Sequence, residues 1–385
     1  MANRPTRNFG RLRLSTQTLE FTQPPSGSLA RLHPLPKPTG KKPFHLDLAD
    51  VIGEAAIKAI TTNKKLVFHI AGDMGGIKYA VPQQIVADNM EQDFQHDPAH
   101  PENDPAFFYG LGDCVYFNGL ASEYFAQFYQ PYEHYLAPIF AVPGNHDGDN
   151  KAPETSLEAF IRNFCAKTPV ITPEAGESTR HAMTQPNVFW TLVSPVATII
   201  GLYSNVPEGG RLTKPQQDWL ASELKTAPAD KALFVTMHHP IFSADDHHSG
   251  SGNMKKALDD AIHQAGRQPD LVLAGHVHNY QRFTRHAGTR KIPYIVAGAG
   301  GYHNLHKVAK VNGEKIIPPL TQPVDGEQVT LERFLDDRHG FLRLEVTDKA
   351  VTGKYYGVPR PQEPWSVGAR LVDSFQLNLQ THQIS

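Results

Sequence analysis

The sequence predicts an α/β fold in which buried strands run toward one sheet edge and end in polar loops. Two observations carry this. Short apolar runs recur, KLVFHIAGD, FFYGLGD, IFAVPGNHD, ALFVTMHHP, LVLAGHVH and YIVAGAGG, and each stops at a loop loaded with polar residues. Helix-compatible stretches lie between several of them. Runs this short and this apolar read as buried strands, and their alternation with helices gives β-α units.

Taken in order, residues 1–45 are rich in Pro, Ser, Thr and basic side chains, with PPSGS and HPLPKPTGKKP as punctuation, and read as an N-terminal arm or extension over the surface. From Leu46, the segment LDLADVIGEAAIKAITTN spaces Val51, Ile52, Ala55, Ala56 and Ala59 at helical intervals, so a helix precedes the first strand. The stretches LASEYFAQFYQPYEHYL, TKPQQDWLASELKTA and NMKKALDDAIHQAG predict further helices. Hairpins are expected in VFWTLVSPVATIIGLYSN and GFLRLEVTDKAVTGKYYGV. With no internal repeat and no later boundary, residues 46–360 read as one catalytic domain, and residues 361–385 as a C-terminal tail packing on it.

At 385 residues and 40% hydrophobic content the chain can bury a sizeable core. Lys+Arg 37 against Asp+Glu 39 leaves a formal net charge of -2, so no global field draws it to nucleic acid or an anionic membrane, and neither is expected as a partner. No stretch approaches the roughly 18 uninterrupted apolar residues of a membrane span. Two distant cysteines, Cys114 and Cys165, exclude a disulfide framework and fit a reducing compartment. The start MANRPTRNFGRLRLS carries arginines but no apolar run, so no secretory signal is visible. A cytoplasmic location is the expectation, with an organelle transit peptide as the lesser alternative.

The polar loops follow the order GDMGG, GDCVY, GNHD, VTMH and GHVH. They supply Asp73, Asp113, Tyr116, Asn145, His238, His276 and His278: carboxylate, phenol, amide and imidazole, a donor set suited to a metal pair. A lone Gly-Asp or His-x-His is weak, since turns favour the first and solvated strands the second. All five together, each at a strand end, mark a site. The glycine before each donor is expected to let the strand turn sharply. Of the 20 histidines, His146, His238, His239, His247, His248, His276 and His278 all fall in these loops.

The pattern GDxG, GDxxY, GNH(D/E), VxxH, GHxH resembles the metallophosphoesterase superfamily and, through Tyr116, the purple acid phosphatases, over roughly residues 65 to 358. The resemblance implies a two-sheet β-sandwich flanked by helices, with strand-end loops forming the active site. It also implies two metal ions, Fe(III) plus Fe(II), Zn(II) or Mn(II), and hydrolysis of phosphate monoesters by a metal-bound hydroxide. By the same resemblance Asp73, Asp113, Tyr116 and His278 hold the ferric ion, and Asp113, Asn145, His238 and His276 the divalent one, with Asp113 shared. Donor chemistry agrees, since phenolate and carboxylates suit a trivalent ion and imidazoles with an amide a divalent one, but spacing alone assigns no donor to an ion. His247 and His248 resemble a substrate-contacting pair of the larger plant members. The stretch before the first motif is expected to be too short for the fibronectin-like domain that those members carry there.

Two cations can clamp a phosphate oxygen and acidify water, which makes a covalent nucleophile unnecessary. No P-loop, GxSxG elbow or kinase signature appears. Asp113 and His146 are the expected catalytic residues, with His146 protonating the leaving alkoxide or binding phosphate, and Asp147 orienting it; the alternative for His146 is a purely structural hydrogen bond. Asn145, His146, His247 and His248 are expected to meet a small phosphate ester, the loop pair being otherwise merely solvated. His69 and His239 are expected to be structural, and Cys114 a buried, inert thiol. VAGAGGY is expected to form a tight loop under the site. Two rivals stand beside this reading: a phosphodiesterase or nucleotide phosphohydrolase with a Mn or mixed-metal centre, and a binding scaffold that lost its metals. The scaffold usually lacks donors, and here every position is filled.

Overall fold

Runs of Val, Ile, Leu and Phe too short for helices and apolar on both faces form the strands of two sheets. The computed structural model describes residues 19–25, 34–148, 157–204 and 210–385. The chain enters the frame through β1 (His45–Asp47), α1 (Glu54–Asn63) and β2 (Lys65–Ala71). It continues through α2 (Val81–Glu91), β3 (Phe108–Gly110), β4 (Ile139–Ala141) and α3 (Glu158–Phe164). Then come β5 (Trp190–Val193), β6 (Ala197–Gly201), α4 (Lys214–Thr226), β7 (Ala232–Met237), α5 (Gly252–Ala265) and β8 (Leu271–Ala274). Strands β9 (Tyr280–Ala287), β10 (Arg290–Ala297), β11 (Lys310–Val311), β12 (Glu314–Lys315), β13 (Leu320–Val324) and β14 (Glu327–Leu335) follow. The chain closes with β15 (Gly340–Thr347), β16 (Ala350–Gly357) and β17 (Arg370–Asn378).

One sheet has six strands in the order β17-β16-β15-β2-β3-β4, and the other nine in the order β1-β5-β6-β7-β8-β10-β9-β14-β13. Within each sheet a parallel block carries the site: β2, β3 and β4 in the first, β6, β7 and β8 in the second. The inner faces meet through large side chains. Phe68 of β2 lies 6.4 Å from Phe234 of β7, and Tyr109 of β3 stacks on Trp190 of β5 at 5.9 Å. Tyr280 of β9 stacks on Tyr355 of β16 at 3.8 Å, a pair worth about 0.5–1.5 kcal/mol beyond its burial. Thr236 Oγ1 of β7 donates to Tyr109 Oη at 3.1 Å, a polar link across the seam, and Tyr280 and Arg282 of β9 both reach Asp373 of β17.

The helices have local reasons. α5 starts where the Ser251 side chain accepts from the Met254 N–H and stops at Gly266 in the left-handed region, and it buries Met254, Leu258 and Ala261, spaced four and three apart. Among the described residues no helix is long and apolar enough to cross a membrane.

Two local expectations change. LASEYFAQFYQPYEHYL forms a 3-10 turn at Ala121–Glu123 and a π-helical turn at Phe125–Tyr129 rather than an α-helix. Tyr124, Phe128, Tyr129, Tyr132 and Tyr135 are all buried, so the segment needs apolar surroundings on more than one helical stripe, and Pro131 interrupts it. Conversely, α2 forms where no helix was anticipated, with Pro82 placed in its first turn, where a missing N–H costs nothing. Of the arm, residues 1–18 and 26–33 lie outside the described residues, as does most of PPSGS. Its described part is not purely superficial, because Phe21 and Phe44 are buried in the core. The residues 370–378 of the tail form β17, the edge strand beside β16.

Candidate metal centre

Every donor anticipated at a strand end comes to the same seam between the sheets. Asp73 follows β2, Asp113 and Tyr116 follow β3, and Asn145 follows β4; His238 follows β7, while His276 and His278 follow β8. Gly72 donates to Ala297 O and Tyr302 to Asp73 O, so the VAGAGGY loop lies directly under the first donor. The turns that free these side chains are strained at the donors themselves: φ is 55° at Asp73, 54° at Asp113 and 67° at His276. Left-handed backbone costs a residue with a Cβ roughly 1–2 kcal/mol, and such strain persists only where the surroundings enforce it. The neighbouring glycines therefore serve a second purpose, close approach. A Cβ on Gly112 would stand 2.6 Å from His238 Nδ1, and one on Gly144 would run into the Asp113 carboxylate.

The donors group around two points. On one side Tyr116 Oη donates to Asp73 Oδ1 at 3.3 Å, and His278 Nε2 lies 3.3 Å from that oxygen and 3.4 Å from the phenol. On the other, Asn145 Oδ1 lies 2.9 Å from His238 Nε2 and 3.0 Å from His276 Nδ1, and Asp113 Oδ2 is 3.4 Å from His238 Nε2. The two groups are joined, for the His276 N–H donates to Asp73 Oδ2 at 2.6 Å, and ligand atoms of Asp73, Asp113 and His238 all lie within 4.8 Å of one another. His238 Nδ1 and His278 Nδ1 each face a carbonyl at 2.8 Å, of Leu111 and Asn304. Those bonds put the proton on Nδ1 and turn each Nε2 lone pair toward the centre.

The charge balance fits bound cations. Asp73, Asp113 and Asp147 are buried carboxylates, and the ion-pair partners of Asp73 and Asp113 among the described residues are imidazoles. Burial opposes the charged form of Asp113, yet His238 and His146 outweigh it and hold this carboxyl well below the usual range. Burial likewise opposes charge on His238, but Asp113 raises it to about 9. Burial first, then Asp113 and Asp73, push the Tyr116 phenol well above its ordinary value, so a phenolate can exist here only against a strong positive charge. Oxygen donors with imidazoles around a buried anionic cluster are what a pair of hard to borderline cations requires.

The remaining expected residues divide. His146 places its ring 4.5 Å from that of Tyr116, its N–H on Asp113 Oδ1 at 2.8 Å and its Nδ1 at 2.8 Å from Phe117 O. Asp147 does not orient it. Its carboxylate accepts the N–H groups of Cys114, Val115 and Gly144 at 2.7–3.0 Å, which pins the β3 and β4 loops together. His248 packs 4.4 Å from His276, whereas His247 stacks on His306 at 4.8 Å, with its Nδ1 on Asp246. His69 is engaged by Tyr135 and Asp93 at 3.0 Å each, and burial drives the Cys114 thiol upward. His239 is closer to the centre than its structural assignment implies, with its ring 4.4 Å from His276.

Sequence reasoning passed over Tyr302 and His306. Tyr302 stacks on Tyr116 at 4.1 Å, and His306 lies 4.2 Å from His278. Their signal was the aromatic and imidazole content of YHNLH, immediately after the glycine-rich loop.

Comparison with known proteins agrees with this geometry. The calcineurin-like phosphoesterase family profile matches residues 66–280. Purple acid phosphatase 21 of Arabidopsis thaliana is 32% identical over 140 residues, which cover 34% of this chain and 28% of that protein. Purple acid phosphatase 15 of the same plant is 26% identical over 200 residues, 48% of this chain and 34% of that one. The matched stretches thus span about a third of those relatives' lengths. Among solved structures, a purple acid phosphatase from yellow lupin (Lupinus luteus) seeds superposes with a TM-score of 0.54 at 16% identity, over 81% of this chain and 53% of that one. GAP50, the anchor in the inner membrane complex of Plasmodium, gives 0.53 at 16% identity, over 82% and 89%. At such identity both likenesses speak to the fold alone. Since the profile takes in more than half of the chain, the protein belongs to the calcineurin-like phosphoesterase family, and its matched stretches are similar to purple acid phosphatases.

Proposed function

We propose that the protein is a dinuclear metal-dependent phosphatase that hydrolyses phosphate monoesters. The observation that carries the reading is the convergence of seven side chains from five strand ends on one buried anionic seam, with a phenol on one side of it only. Asp73, Asp113, Tyr116 and His278 would hold Fe(III), and Asp113, Asn145, His238 and His276 would hold Fe(II), Zn(II) or Mn(II). Two such cations supply Lewis acidity toward the phosphoryl oxygens and toward water.

The chain's own residues do the rest. Asp113 spans both groups of donors and fixes their spacing. With Nδ1 committed to Phe117 O, His146 keeps Nε2 for the substrate and in its protonated form donates from it to the leaving alkoxide. Asn145, beside it, turns its carbonyl oxygen to the imidazoles and leaves its amide for a phosphoryl oxygen. His248, packed on His276, closes the opposite flank, and His247 extends that rim outward.

Protein purified without chelators should carry two metal ions per chain, show a visible phenolate-to-iron band, and turn over p-nitrophenyl phosphate faster than its bis ester. A faster diester rate, or full activity in a colourless Mn-only protein, would move the assignment to a phosphodiesterase.

A further inference from the structure

A short piece of the N-terminal arm crosses the base of the hairpin that carries His247 and His248. The Ser243 N–H donates to Phe21 O at 2.8 Å, and the Gln23 N–H donates to Gly250 O at 3.0 Å, so both legs of the hairpin are tied to one segment. Thr22 between them runs parallel to Gly250. The hairpin is also braced internally. Ala244 pairs with Ser249, the Ser243 hydroxyl donates to His248 O at 2.7 Å, and Asp245 Oδ2 accepts the His247 and His248 N–H groups at 3.0 Å each.

The segment is anchored rather than draped. Phe21 is 1% exposed, with its ring 5.1 Å edge-on to Phe283 of β9. Glycine makes room for it, because a Cβ on Gly250 would run into Phe21 O, and one on Gly252 into Gln23 O and, at 2.8 Å, into Pro24. Where the segment passes the hairpin, a cleft of about 250 Å³ opens between Gln23, Pro24, His239, His247, His248 and His276. The arm therefore walls the same cleft that the histidines line.

We infer that Phe21–Pro24 is a positioning element for phosphoester binding, which fixes the hairpin presenting His248 and supplies one wall of the substrate cleft. The inference rests on the phosphatase reading of the adjoining centre. Without the strap the hairpin keeps its internal bonds and its ties to Gln281, Asn279, Lys307 and Ala309 but loses both bonds at its base, and the substrate must then order that base on binding. The strap's backbone bonds go to Ser243 and Gly250, not to metal donors, so its removal should act on binding and spare the centre.

Gly252→Ala and Phe21→Ala, each in the full chain, test this through steady-state kinetics on p-nitrophenyl phosphate, metal content, and calorimetric binding of inorganic phosphate. KM and the phosphate Kd should rise about five- to tenfold in both, with kcat kept within about twofold and metal content unchanged. Gly252→Ala presses on the arm's backbone from the first residue of α5, where alanine favours the helix, so a folding defect in Phe21→Ala leaves the test intact. Unchanged KM and Kd in Gly252→Ala would overturn the proposal, and so would parallel loss of metals and kcat, which would make the strap part of the scaffold. If the wild type turned over no phosphoester, the phosphatase reading would fall, and phosphate binding would still decide. A weaker Kd in Gly252→Ala would uphold the strap, and an equal one would refute it.

Discussion

The two sheets contribute unlike chemistry to the seam they share. Asp73, Asp113, Tyr116 and Asn145 leave the six-stranded sheet and bring oxygen, whereas His238, His276 and His278 leave the nine-stranded sheet and bring nitrogen. Each proposed metal position draws on both. A cation at either point is thus a cross-link between layers that otherwise meet mainly through apolar contacts such as Phe68 on Phe234. The division means that the donors can meet only where the two sheets dock, and each half can be perturbed separately.

The sharpest break is Asp113→Asn, which removes a charge shared by both positions; turnover should fall by about 10³-fold or more together with metal occupancy. Two retained metals and an undiminished rate would deny Asp113 that role. Within the oxygen half, Tyr116→Phe should abolish the visible band and lower kcat by about 10- to 100-fold, and persistence of the band would refute the phenolate. Chelation tests the cross-link itself. Anything bound only to the native state stabilises it, so stripping the metals should lower Tm by several degrees, and an unchanged Tm would show that the layers do not depend on the centre.

Acid should weaken the six-stranded side through two buried histidines that are not donors. His69 in β2 and His339 beside β15 are buried, and burial is the first cause that lowers both, His339 to about 4. An unfolded histidine returns to about 6.5, so below that pH the unfolded chain binds protons that the native chain refuses. This contribution to stability is intact above pH 6.5 and falls as the pH drops toward 4. Tm should decline over that window, and His69→Gln should shrink the decline; a Tm that rises on acidification would contradict the assignment. The smallest effect belongs to the Thr236–Tyr109 link across the seam. Tyr109→Phe removes the acceptor of the Thr236 hydroxyl and should cost about 1 kcal/mol in denaturant unfolding, with kcat unchanged.

The sequence is most legible where chemistry sits next to regular structure. Each of the seven donors lies within six residues of a strand end, so an apolar run followed by a polar residue announces it locally. Tyr302 and His306 reach the site through tertiary proximity, at which the YHNLH pattern only hints, and the wall formed by Gln23 and Pro24 comes from a segment more than 200 residues from its partner hairpin. Asp147 was assigned by adjacency to His146, but its carboxylate answers three backbone N–H groups instead, a demand invisible until the loops are in place. The aromatic segment after Leu120 misled for a related reason. Helix propensity was readable, while burial on several sides, which sets its winding, was not.

The left-handed backbone at Asp73 and Asp113 has a bearing on how such a chain can drift. Asparagine is the residue that best tolerates that conformation after glycine, and it is also one mutational step from aspartate in chemistry. Exchange at either position would silence the proposed catalysis while leaving the loop's path undisturbed. Descendants that keep the architecture but abandon hydrolysis should therefore carry asparagine or glycine at these two places before any other donor is lost.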